Sequence, residues 1–427
     1  MNREGAAFTL DPVRISHTLK DLEEMGNRFH GTPGEARCRD YLAERFDSVG
    51  LENTQLEAFR YLAYEKGSCA CRVVSPRPEL LKCRPVQFSA SGEAEGEAVY
   101  LGTAEPADFE RIDRLGIDLA GRVVVAHSIA PFLVTPFLAG RGIAAFVNIG
   151  EAPDGAVGNF TAALYPPPQK PPWGGRPVPY PAVTVEAQAG RALVSTMTAA
   201  FRVVIKVEHE CKYVEKTAHN VVGRLPGGSD EQVVIGGHYD SQAEGPCLWD
   251  NGTGCASLLE IARLLRGERL ARTVTVVGFA VEEVGLWGSV AYVARHATEM
   301  SRVVGMANLD AVASRYPAKR TIWSDEAMRD FADESARQVG WHPEILFDAR
   351  QFQFSDNTPF TDAGVPSCWI WHFPPIHPYY HSSGDVTELV DPMAVALTAG
   401  ASARVAQRLA EDSCVTLGRA GVGPGSS

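Results

Sequence analysis

Residues 233–240, Val-Val-Ile-Gly-Gly-His-Tyr-Asp, join a continuous apolar run to a histidine and an acid. Continuous runs of this kind fit strands covered on both faces, as in a mostly parallel sheet; one-sided strands alternate instead. The pattern repeats downstream. Thr273–Val281 runs into Glu282-Glu283, and Val303–Leu309 runs into Asp310. Helical patterns occupy 252–265, 285–296 and 326–339, so the C-terminal half reads strand, helix, strand, helix. Open α/β sheets bind ligands at the carboxyl ends of their strands. Here three successive strands deliver an imidazole or a carboxylate to that edge.

Two more residues join the set. Asp250, in Trp249-Asp-Asn-Gly-Thr-Gly254, precedes the 252–265 helix, and His381 follows the apolar run Cys368–Trp371. Taken singly, each has a plain structural reading: a helix N-cap for Asp250, solvated surface for Glu282-Glu283, a packed ring for His381. Together, several carboxylates and two imidazoles in one place repel unless a cation neutralises them. Imidazole and carboxylate donors without thiolate suit zinc, with manganese or cobalt as substitutes. Asp240 lies two residues beyond His238, on the same side of an extended chain, and is expected to orient its ring.

Outward from this half, the chain of 427 residues is long for one core, so a second unit is expected. Residues 12–50 read as helical, and strand patterns lie near 56–64 and 68–74. From about Gly96 to Val207 short β runs, 122–126 and 144–148, alternate with glycine and proline; this reads as a separate β-rich module. The prolines between Pro166 and Pro181 require an extended loop around Trp173, a candidate roof for the cleft or a homo-oligomer contact. Residues 416–427 read as a tail.

The formal net charge of −12 argues against nucleic acid. No stretch has the length and apolarity of a membrane span or a leader. The nine cysteines are scattered like reduced thiols, and Cys69, Cys71 and Cys83 lack a fourth metal ligand. A cytoplasmic location is expected, with secretion second. Gly252-Thr-Gly254 lacks the third glycine of a dinucleotide loop, and no Gly-x-Ser-x-Gly, P-loop or His-Glu-x-x-His is present.

His238-x-Asp240, Asp250-Asn-Gly-x-Gly254, Glu282-Glu283, Asn308-Leu-Asp310 and Tyr380-His-Ser-Ser-x-Asp385 together resemble the motifs of the co-catalytic di-zinc peptidases, metallopeptidase family twenty-eight. The likeness runs over about 215–410, and Arg28-Phe-His-Gly-Thr-Pro-Gly34 resembles that family's opening segment. The middle region, with 118–125 and 140–146, is similar to a protease-associated domain. The resemblance implies a mixed, mostly parallel α/β sheet flanked by helices. Residues 1–95 and 208–415 would form the catalytic domain, and 96–207 the insert. It also implies two Zn2+ ions: His238 and Asp310 on one, Glu283 and His381 on the other, Asp250 bridging. Glu282 would be the general base, Asp240 the orienting carboxylate, and Tyr380 a donor to the scissile carbonyl.

The implied substrate is a peptide or small amide, cut by an aminopeptidase. Carboxypeptidase, dipeptidase and N-acyl amide hydrolase activities stay open, because Arg315, Lys319, Arg320 and Arg350 lie in loops that could reach the cleft. A metal-free receptor-like homologue is the non-enzyme alternative. One departure stands out: Cys247-Leu-Trp249 is bulkier than the residues common before the bridging acid.

Overall fold

The computed structural model describes residues 8–128, 130–162, 177–199, 202–348 and 355–418. Arg350, the loop around Trp173 and most of the 416–427 tail lie outside them.

The apolar run at 233–240 is the last part of the strand Ser229–His238, and it is sheet-central, as its composition predicts. It pairs in parallel with Arg272–Phe279 on one side and Val303–Asn308 on the other. Ser367–His372 adds a fourth parallel strand beside Val303–Asn308. Val233, Val234 and Ile235 are fully buried, so successive side chains enter cores on opposite faces. Beyond these four strands the sheet becomes mixed. Arg320–Ser324 runs antiparallel to Ser367–His372, and Val204–Leu225 runs antiparallel to Arg272–Phe279.

Helices cover the sheet. Thr253–Leu265 is buried at every residue except Arg263, and it packs with Pro392–Glu411 against the strands. The N-terminal region is two helices, Pro12–Glu24 and Pro33–Val49, where the sequence reads as one helical stretch. Gly26 and Gly31 take positive φ, and Pro33 can only open a helix here, so the chain breaks between them. The patterns at 56–64 and 68–74 are one strand, Glu52–Ser75, with an irregularity between Lys66 and Cys69.

That strand and Val204–Leu225 form a long antiparallel pair from the central sheet into the middle of the chain. There Gly92–Tyr100, Val123–Ala126, Ala145–Ile149 and Ala182–Val185 pair in parallel, one after another. Among its described residues the middle region also holds three helices, Pro106–Arg114, Pro131–Ala139 and Ala187–Ala199, which its glycine- and proline-rich texture conceals. Its apolar clusters take in Cys71, Val73, Leu81 and Val86 as well as later residues. No helix among the described residues is long and apolar enough to cross a membrane. Cys69 and Cys83 bring their sulfurs to 3.8 Å, but the three neighbouring cysteines do not form a metal-competent cluster.

A buried polar junction ties the Glu52–Ser75 strand to the turn after Trp287–Arg295. His296 Nε2 lies 3.0 and 3.2 Å from the two Glu57 oxygens, and Nδ1 lies 3.2 Å from Glu299 Oε1. The bond to Glu57 holds the imidazole pKa above its ordinary 6.5. A raised folded pKa contributes stability that is complete below the unfolded value and is lost as pH rises through the folded one. Wild-type Tm should therefore fall relative to that of His296→Gln as pH rises above the ordinary imidazole value of 6.5. Thermal unfolding at matched ionic strength checks this; parallel curves would show that the junction adds nothing.

Candidate metal centre

The strand ends meet. His238 is the last residue of its strand, Glu282 and Glu283 follow the adjacent one, and Asp310 follows the strand on the other side. His381 arrives on the turn between Ser367–His372 and the last helix. His238, Glu282 and Asp310 bring ligand atoms within 4.8 Å of one another, and so do His238, Asp250 and Glu283.

Asp250 is the pivot. Its Oδ1 lies 3.2 Å from His238 Nε2, and its Oδ2 lies 3.1 Å from His381 Nε2. One carboxylate thus gives one oxygen to each imidazole. On the first side Asp310 Oδ1 is 3.3 Å from His238 Nε2; on the second, Glu283 Oε2 is 3.2 Å from His381 Nε2. Two tetrahedral ligands each about 2.0–2.1 Å from one zinc lie about 3.3 Å apart. The observed spacings match that value.

Local sequence sets this up. Asp250 is not the helix cap that its position suggests. Asn251, joined to it by a cis peptide, accepts from Gly254 N at 2.9 Å and so takes over that task. A Cβ on Gly254 would lie 2.3 Å from Asn251 Oδ1 and 2.4 Å from the Leu309 carbonyl oxygen, so only glycine fits there. Asp385 accepts from the Trp249 and Asp250 amides at 2.8 and 3.1 Å, which fixes the backbone carrying Asp250. Arg28, fully buried, donates to the carbonyls of Tyr239, Pro246 and Cys247, and so ties down the loop between His238 and Asp250.

Both imidazoles turn the same atom inward. His238 Nδ1 faces the Asp240 carbonyl at 3.1 Å, and His381 Nδ1 faces the Asn159 carbonyl at 3.0 Å. A carbonyl only accepts, so each Nδ1 carries a proton and each ring turns its Nε2 to the carboxylates. Carboxylates gathered around Nε2 favour positive charge there, which a metal ion supplies. In a proton's terms, burial pushes both histidines down, but the surrounding acids overcome it. Glu282 and Asp310 hold His238 well above its ordinary range, and Glu283 and Asp250 raise His381 to about 10. Glu283 Oε1 is buried without a hydrogen-bond partner. Nitrogen and carboxylate donors, an orphaned acceptor and zinc-like spacing fit a pair of zinc ions.

Asp240 differs from expectation in what it touches. Its nearer carboxylate oxygen is 3.7 Å from His238 Nδ1, beyond hydrogen-bond reach, and its carbonyl holds the ring instead. The carboxylate accepts from the backbone amides of Glu282 and Glu283 at 3.0 and 3.3 Å. It therefore aims both glutamates. Glu282 Oε2 lies 3.9 Å from His238 Nε2, beside the first site.

Several neighbours have no signal in the sequence. Gln242 donates to Glu283 Oε2 at 2.9 Å, and Ser355 donates to Asp310 Oδ2 at 2.7 Å while accepting from Asn308. Asp356 is fully buried close by, pushed up to about 7 by burial. Asn159, from the middle region, also donates its backbone amide to the His381 carbonyl at 2.8 Å. His381 needs such support, because its φ of 59° is left-handed, a conformation that costs non-glycine residues about 1–3 kcal/mol.

The centre opens into a cleft walled largely by aromatic side chains. Trp249, Tyr380, Trp369 and Trp371 face it from the catalytic half, Phe132 and Phe160 from the middle region. The bulk of Cys247-Leu-Trp249 thus has a place: Trp249 is buried and stacks on His377 with ring centroids 5.3 Å apart. Tyr380 is held protonated by burial and the acids around it, so its hydroxyl is a donor.

Comparison with known proteins agrees with this geometry. Residues 220–406 match the sequence profile of peptidase family M28. The chain is 28% identical over 234 residues to aminopeptidase YwaD of Bacillus subtilis, a match covering 52% of this chain and 50% of that protein. It is 25% identical over 447 residues to the protein named "Probable lipoprotein aminopeptidase LpqL" of Mycobacterium tuberculosis, covering 92% and 83%. The zinc aminopeptidase BSAP of Bacillus subtilis has the same fold, with a TM-score of 0.70 over 95% of this chain and 96% of that one at 18% identity. Residues 220–406 of this chain are a peptidase family M28 domain.

Proposed function

We propose that this chain is a zinc-dependent aminopeptidase. The observation that carries the reading is Asp250, which divides its oxygens between His238 and His381 at the floor of a cleft with no lysine or arginine among its described lining residues. A carboxypeptidase needs a cation for the terminal carboxylate. The three candidates among the described residues are engaged elsewhere: Arg315 donates to the Val390 carbonyl, and Lys319 and Arg320 pair with Glu344. An acid-rich floor suits a free α-ammonium instead.

His238, Asp250 and Asp310 would hold one zinc; Asp250, Glu283 and His381 would hold the other. When bound, the metals supply Lewis acidity to the scissile carbonyl and lower the pKa of water. The chain's own groups do the rest. Glu282, aimed by Asp240, takes the proton from the attacking water and returns it to the leaving amine. The Tyr380 hydroxyl donates to the oxygen on which negative charge develops. The aromatic walls exclude bulk water and strengthen both interactions.

The test is a panel of free-amine aminoacyl amides, N-acetylated amides and C-terminal peptides, each assayed with and without chelator. Hydrolysis confined to free-amine substrates, lost on chelation and restored by zinc, is the expected outcome. Preference for N-acetylated substrates would replace the reading with an amide deacylase.

A further inference from the structure

We propose that the slot beside the metal centre selects an aromatic N-terminal side chain over an aliphatic one of similar size, through the edges of a stacked ladder of rings. The inference rests on the aminopeptidase reading and concerns the substrate class of the same site.

Trp369, Trp371 and Phe373 are two residues apart along and just past the strand Ser367–His372, so they share one face. Their rings stack. Trp369 and Trp371 have centroids 3.9 Å apart at 23°, and Trp371 and Phe373 are 4.7 Å apart at 4°. Rings stacked along a strand cover one another's faces and turn their edges to the cleft that all three line. The edge of an aromatic ring is its electropositive part. The Trp371 indole N–H is buried without a hydrogen-bond partner, although buried indole donors ordinarily find one. Across the slot, Phe132, Phe160 and Tyr380 complete the wall, with Phe160 and Tyr380 edge to face at 6.4 Å and 64°.

An incoming phenyl, phenol or indole ring can lay its electronegative face against these edges. Leucine or isoleucine buries comparable area but offers no π face. Aromatic pairs gain about 0.5–1.5 kcal/mol beyond area burial, which corresponds to a preference of roughly 2- to 13-fold. Two of the wall residues, Phe132 and Phe160, come from the middle region, which makes that region part of the selecting surface.

The zinc-loaded full-length protein should show kcat/KM for phenylalanyl and tyrosyl amides at least about 3-fold above that for leucyl amide, and further above those for alanyl and lysyl amides. Trp371→Leu keeps an apolar wall but removes the ladder edge, so the phenylalanyl-to-leucyl ratio should fall toward one. Trp371 also stacks at 5.5 Å on Trp323, so a folding defect is a risk for this variant. Competition by phenylalaninol against leucinol on the wild-type protein therefore asks the same question without mutation, and phenylalaninol should bind more tightly. Equal or better use of leucyl amide together with equal binding of leucinol overturns the slot while leaving the aminopeptidase reading intact. No turnover of any free-amine substrate, alongside hydrolysis of another class, overturns both.

Discussion

Glu282→Gln is expected to retain two zinc ions per chain and to lose about 10²–10⁴-fold in turnover, the usual contribution of a positioned acid–base group. The side chain keeps its size, and its backbone amide still donates to Asp240, so the geometry that aims it survives. What disappears is the ability to take and return a proton. Because that interaction is made only in the transition state, kcat and kcat/KM should fall together with KM nearly constant. Steady-state kinetics and elemental analysis on the same preparation check this. Retention of the normal rate would remove Glu282 from the base role, and loss of metal would make it a ligand.

Asp250→Ala should act on the metals themselves. Its two oxygens face His238 and His381 separately, so its removal takes one ligand from each site and leaves two imidazole lone pairs across an empty space. Loss of an outer partner to a metal ligand typically costs about 10–100-fold in affinity. Loss of a ligand shared by both sites should cost more than that at each. Calorimetric titration of the metal-free protein with zinc should show both affinities weakened, with activity falling in step. If one site kept its affinity, Asp250 would belong to the other alone. Asp385→Asn distinguishes direct from indirect effects: it leaves the ligands in place and disturbs only the turn that accepts at the Trp249 and Asp250 amides. It should cost less than the ligand's removal.

Much of the centre was legible because His238, Glu283 and Asp310 sit at or just past the ends of recognisable strands. A run of valines into a histidine, or into paired glutamates, announces a buried strand delivering a polar group to one edge. The residues that stabilise those ligands had no such mark. Ser355, Gln242 and Asn159 are ordinary polar residues in irregular segments, and only their distances to Asp310, Glu283 and His381 give them a role. Asp240 shows the limit at a single residue. Spacing placed it on the same side as His238, but only the coordinates show that its carbonyl, and not its carboxylate, holds the ring. The aromatic ladder was equally hidden, since Cys-Trp-Ile-Trp-His-Phe, residues 368–373, reads simply as an apolar strand.

The linear order of residues determined the layered α/β arrangement and the identity of the donors offered to metal, because burial periodicity and side-chain chemistry are local properties. Folding in three dimensions decided how one aspartate is shared between two rings, which nitrogen each ring turns inward, and which rings wall the cleft. Those outcomes depend on contacts between segments as far apart as Asn159 and His381, and no local pattern along the chain encodes a distance of that kind.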